Sequence, residues 1–140
     1  MTLTDARTAL ERLDRDECLE LLAREQVGRL AVVHGGAPEI FPVNYVLDGS
    51  SILFRTAPGT KLVAGSGRTV CFEVDGFNTV TCSGWSVVVS GRLEEVTRYA
   101  PTTWERVEQL SVEPWAPGKK PHCMLLVASR ISGRRVGASR

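Results

Sequence analysis

The sequence predicts a mainly β protein, an antiparallel barrel with flanking helices. Three observations lead there. Apolar, β-branched runs outnumber helical stretches, close turns join the first of these runs, and one run alternates cleanly between apolar and polar residues.

The elements follow in chain order. The N-terminal segment, residues 1–26, reads as helical. Asp14 followed by Glu17 is a capping-box-like start, and Cys18, Leu21 and Leu22 give an apolar stripe at helical spacing. From Val27 the period changes. Gly28 to His34 is an apolar strand ended by Gly35-Gly36. Pro38 to Leu47 is a second, closed by the hairpin signal Asp48-Gly49, and Ser51 to Thr56 is a third. Thr69 to Asp75 is the alternating run, with Val70, Phe72 and Val74 on one face. Thr81 to Val96 is a long strand with a bend expected at Gly91. Thr102 and Glu105 form a second capping box, for a helix buried through Trp104, Val107 and Leu110. Cys123 to Val127 and Ile131 to Val136 close the chain as strands.

A chain of 140 residues suits one domain, spanning residues 1–140, with one core. The net charge of +1 supplies no general field for nucleic acid or an anionic membrane, so neither is expected as a partner. No apolar run approaches the roughly 20 residues that span a bilayer. Met1 to Arg7 lacks the basic start and apolar stretch of a signal peptide, so a cytoplasmic location is expected. Cys18, Cys71, Cys82 and Cys123 form no Cys-x-x-Cys pair and no metal-ligand spacing; reduced, mostly buried thiols and no metal site are expected.

The second strand is apolar on both faces. Phe41, Val43, Tyr45 and Leu47 lie on one, and Ile40, Pro42, Asn44 and Val46 on the other. A small barrel buries its inner face alone. The outer face therefore has to meet a helix, a partner subunit or a flat ligand.

The segment richest in chemistry runs from Ile52 to Leu62. A strand ends in Arg55 and Thr56, a Pro58-Gly59 loop follows, and Thr60 can cap a short helix carrying Lys61. Cationic side chains, hydroxyls and free backbone N–H groups at a helix start are what a phosphate needs. By spacing alone the segment reads equally as a tight turn with Arg55 and Lys61 in solvent, since it is not a Walker loop.

Ala57-Pro58-Gly59-Thr60-Lys61 followed by Val70-Cys71-Phe72-Glu73-Val74 resembles the FMN-binding split-barrel family related to pyridoxamine 5′-phosphate oxidase, and within it the nitroimidazole-resistance (Nim) branch. Pro42-Val43-Asn44-Tyr45, Ser86 to Gly91 and Ile131 to Arg135 extend the resemblance, which runs from about Cys18 to Val136. It implies an antiparallel split barrel, a homodimer and an FMN at the subunit interface. By position, Arg55, Thr56, Thr60 and Lys61 are expected to hold the FMN phosphate, and Pro42, Val43 and Asn44 to lie along the isoalloxazine ring. Trp85 and Ser86 are expected to approach the flavin from the second subunit. Many Nim-like chains carry His where this one has Arg55; Arg suits a phosphate better, being always charged and able to donate two parallel hydrogen bonds.

Three functions follow as expectations. The first is an FMN-dependent oxidoreductase acting on a small molecule, in which the protein binds and orients the flavin. The second is a deazaflavin-dependent reductase of the same fold, whose longer acidic tail favours an extended basic groove. The third is a non-catalytic flavin or haem carrier or sensor. No Ser-His-Asp order and no close acid pair nominates a catalytic residue. His34 reads as solvated in its turn, His122 as a candidate proton donor, Lys119-Lys120 and Arg134, Arg135 and Arg140 as solvated charge or a modest anion patch.

Overall fold

The computed structural model describes residues 3–5, 10–56, 67–96, 105 and 122–137. Within them the chain forms strands β1 (Leu3–Asp5) and β2 (Leu10–Leu13), helix α1 (Arg15–Arg24), then β3 (Val27–His34), β4 (Ala37–Asp48), β5 (Ser51–Thr56), β6 (Thr69–Asn78), β7 (Ser83–Val96) and β8 (His122–Val136). The helix expected after Thr102 lies outside the described residues.

The N-terminal segment departs from expectation. Among the described residues there, Arg15–Arg24 alone is helical; Leu10–Leu13 is a strand paired with Gly133–Val136 of β8. Residues ahead of Asp14 have no place in the helix, because Asp14 is its N-cap. Its carboxylate accepts from the Glu17 amide at 2.9 Å, and its own amide donates to Glu17 Oε1 at 3.5 Å, the reciprocal pair of a capping box.

Two tight turns start the barrel. Gly35 and Gly36, at φ 59° and 78°, turn β3 into β4 in the doubly left-handed form that matches strand twist. Gly49, at φ 63°, begins the turn from β4 to β5. All the pairings are antiparallel, and the sheet closes: β3 pairs with β4 and β6, β4 with β5, β5 with β8, β8 with β7, and β7 with β6. Closure pairs these six strands on both sides, and among the described strands β1, paired with β2 alone, lies at the edge. The chain therefore has the antiparallel split-barrel fold its sequence implies.

Inside lie Leu30, Val32, Tyr45, Ile52, Phe54, Phe72, Val87, Val89, Leu93 and Met124, with Cys18, Leu21 and Leu22 of α1 packed against them. The Tyr45 and Phe72 rings meet edge to face at 4.9 Å and 73°. Gly28 leaves room for Phe72, since a Cβ there would stand 2.1 Å from the ring. A second cluster, Leu53, Val96 and Cys123 with Val46 and Leu125, covers the outer face of β4, β5, β7 and β8. It takes up Val46, but Ile40 stays 68% exposed and Pro42 is exposed, so one chain leaves that part of the apolar outer face of β4 uncovered.

β8 was expected as two strands and is one, with a bulge instead of a break. Ser90 pairs with Arg130 and Gly91 with Ala128, which leaves Ser129 extra. Its Oγ donates to the Ser90 carbonyl at 3.1 Å. The expected irregularity at Gly91 is this bulge. The extra residue shifts the alternation of β8: Cys123 and Leu125 face outward before it, and Arg130, Ser132 and Arg134 after it.

Candidate functional site

Arg55 is the second-last residue of β5, opposite Cys123 of β8. Phe54 points into the barrel, so Arg55 points out. Its Nε is buried and, among the described residues, has no hydrogen-bond partner. A buried polar group left unpaired costs about 1–3 kcal/mol, more when charged, so such a donor marks a place where an acceptor belongs. The guanidinium also acts on Cys123. Burial pushes that thiol up, the Arg55 charge pulls it down, and Glu95 adds to the rise, for a net upward shift.

Asn44 precedes Tyr45, which pairs directly with Phe54, so Asn44 and Arg55 stand beside that pair on the same outer face. Pro42 lies two residues further along that face and is exposed; Val43 turns inward against the core. Thr56 is buried, on the opposite face of β5 from Arg55, and pairs with His122. Thr60 and Lys61 lie outside the described residues.

His122 acquires a partner that sequence reasoning missed. Its Nδ1 lies 3.0 Å from Glu95 Oε2, both side chains being less than a third exposed. The pair depends on the β7–β8 register, which no local motif signals. It gives the barrel end beside Thr56 an oriented imidazole.

Trp85 and Ser86 fall in different places. Trp85 shares the inward side of Val87 and Val89 and packs against the core and over Gly76, where a Cβ would meet its Nε1 at 2.7 Å. It lines a cleft of about 430 Å³ with Phe77, Asn78 and Arg135. Ser86 faces outward, opposite Arg134, in a groove of about 390 Å³. One protomer brings Pro42, Asn44 and Arg55 onto one surface, whereas Ser86 and Trp85 lie on β7, which pairs with neither β4 nor β5.

A third group, missed from sequence, is Arg29 with Glu73 and Asp75 on the outer face of β3 and β6, each contact 3.1 Å. Burial, then the neighbouring Asp75, pushes the Glu73 carboxyl up to about 7, against the opposing pull of Arg29. The alternation of β6 signalled that both acids share a face; the pairing of β6 with β3 was not legible.

Comparison with known proteins extends the geometry. The family described as pyridoxamine 5′-phosphate oxidase matches residues 14–135. An uncharacterized protein of Mycobacterium tuberculosis, Rv0080, is 31% identical over 139 residues, covering 95% of this chain and 89% of the relative. The solved structure of an FAD binding protein from Mycobacterium smegmatis superposes with a TM-score of 0.77 at 32% identity, over 91% of this chain and 99% of that one. A 5-nitroimidazole antibiotic resistance protein from Bacteroides thetaiotaomicron shares the fold alone, with a TM-score of 0.64 at 10% identity over 96% of this chain and 92% of that one. No helix among the described residues is long and apolar enough to cross a membrane.

Proposed function

The chain belongs to the pyridoxamine 5′-phosphate oxidase family, and from that premise we propose that it is an FMN-dependent oxidoreductase working as a homodimer on a small-molecule substrate. The observation that carries the reading is the buried, unpartnered Nε of Arg55. A flavin phosphate is an acceptor of the right charge for it, and a guanidinium can grip two phosphate oxygens at once. Thr60 and Lys61 follow in the next few residues of the chain and would add a hydroxyl and a second cation. Asn44 and the exposed ring of Pro42 continue the same face and offer the flat surface an isoalloxazine needs. The residues present fit the cofactor.

When bound, the flavin supplies the redox chemistry. The chain's own part is to hold the phosphate at Arg55, to orient the ring over Pro42 and Asn44, and to fix the His122 imidazole through Glu95. FAD stands beside FMN as a second reading, because the M. smegmatis relative is an FAD binding protein. Both flavins carry a phosphate on the ribityl chain, so Arg55 serves either.

The homodimer rests on two features. Ile40 and Pro42 leave part of an apolar strand face uncovered. Ser86 of β7 and Arg55 of β5 lie on strands that do not pair with each other, and the family resemblance takes Ser86 from the partner. The test is direct. The purified protein should bind flavin, show the flavin absorption bands and be bleached by a reduced nicotinamide. Binding without bleaching would make it a carrier, and no flavin uptake would overturn the reading.

A further inference from the structure

The groove around Ser86 carries more positive charge than the fold explains. Arg12 of β2 and Arg134 of β8 are directly paired, so their side chains leave the sheet on the same side. Like charges placed directly opposite each other destabilise a sheet. Arg130 joins them from the same face of β8, four residues back, and all three line the groove with Ser86 and Ser132 over a floor of Val88. Among the described residues none of the three makes an ion pair; the acids of the same outer face, Asp75 opposite Ser86 and Glu73 opposite Val88, are held by Arg29. The nearby carboxylates of Glu11 and Glu17 turn to the other face and meet Arg135 at 3.7 and 3.8 Å. The bulge at Ser129 is what puts Arg130 and Arg134 on this face; without the extra residue they would point inward.

Three unpaired guanidiniums, two hydroxyls and an apolar floor describe a receptor for an anion. Arg130 and Arg134 are about 13 Å apart at their Cα atoms, at about 3.3 Å per residue. That span suits two linked phosphates better than one. We infer that this groove binds a diphosphate group. The arginines at its two ends grip the two phosphates, and Ser86 and Ser132 donate hydroxyl hydrogen bonds between them. The diphosphate comes either from a dinucleotide flavin, entering from the partner's site, or from a separate phosphorylated ligand. The first source rests on the proposed flavin reading; the second does not.

The test compares Arg130→Gln, Arg134→Gln and the double variant with the unaltered protein, titrating each with FMN, FAD and inorganic pyrophosphate. All three arginines are exposed on a sheet surface, and thermal unfolding confirms that the variants fold. A tenfold or greater loss of FAD affinity, larger than the loss for FMN, which shares only the ribityl-side phosphate, identifies the dinucleotide's diphosphate. Pyrophosphate binding that disappears in the double variant, with both flavins unaffected, identifies a separate ligand. Changes within twofold for all three probes, or no pyrophosphate or FAD binding to the unaltered protein, overturn the inference. If neither flavin binds but pyrophosphate does, the flavin reading fails and the diphosphate site stands.

Discussion

The hydroxyl of Tyr45, within β4, donates a hydrogen bond to the carbonyl oxygen of Leu22 in the last turn of α1. The final carbonyls of a helix have no partner within it, and this one is supplied from the barrel. Tyr45 is only 5% exposed, and burial, with Glu25 adding to it, raises its phenol well above the usual value. One bond thus satisfies two buried polar groups and fixes how α1 sits on the barrel. Tyr45→Phe should keep the ring packing on Phe72 but leave the Leu22 carbonyl unpaired, a loss of about 1–3 kcal/mol. Urea unfolding reads it directly; a variant as stable as the parent would show that water satisfies the carbonyl.

The bulge in β8 predicts the effect of Gly91→Ala. A Cβ at Gly91 would stand 2.0 Å from the Val127 carbonyl oxygen, a backbone atom that cannot swing aside. Overpacking of this sort costs about 1–3 kcal/mol, occasionally more. The variant should melt lower and should also weaken pyrophosphate binding, because the bulge places Arg130 and Arg134. Unchanged melting would mean that the β7–β8 register is softer than described.

The Glu73–Asp75–Arg29 cluster gives a pH dependence. Glu73 is raised from 4.5 to about 7 in the folded chain, so the folded state binds this proton more tightly than the unfolded one. Its contribution to stability is then fully present below about pH 4.5 and is lost as pH rises towards 7. Glu73→Gln should flatten the fall in melting temperature across that window. A parallel pair of curves for parent and variant would place the titration elsewhere.

The uncovered part of β4 makes a statement about assembly. Ile40→Glu puts a charge in the middle of the surface assigned to the partner. Light scattering should find the parent as a dimer at micromolar concentration and the variant shifted to monomer. A monomeric parent would remove the shared flavin site.

Much of this was legible in the sequence, for identifiable reasons. β5 and the alternating start of β6 follow from period-two patterns, and the two glycine turns from residues that tolerate positive φ. The Asp14–Glu17 capping box located the start of α1, yet residues 10–13 were read into the same helix. Their strand form comes from pairing with the far end of β8, a contact between opposite ends of the chain. Long-range register also hid the rest: the His122–Glu95 pair, the Arg12–Arg134 juxtaposition, and the opposite directions of Trp85 and Ser86 relative to Arg55. At Arg55 the described residues do not carry the sequence grouping: Thr56 points to the opposite face, Thr60 and Lys61 fall outside them, and Asn44 and Pro42 reach the Arg55 face through the β4–β5 register.

The account turns on Arg55 holding a flavin phosphate, and one titration tests that most directly. FMN carries the phosphate and riboflavin does not. A hydrogen bond to a charged group contributes about 1.5–3 kcal/mol, or roughly a tenfold to hundredfold in affinity. Binding of FMN and of riboflavin to the parent and to Arg55→Ala is followed by flavin fluorescence. The prediction is a loss of that size for FMN with riboflavin unchanged; equal weakening of both flavins would contradict it.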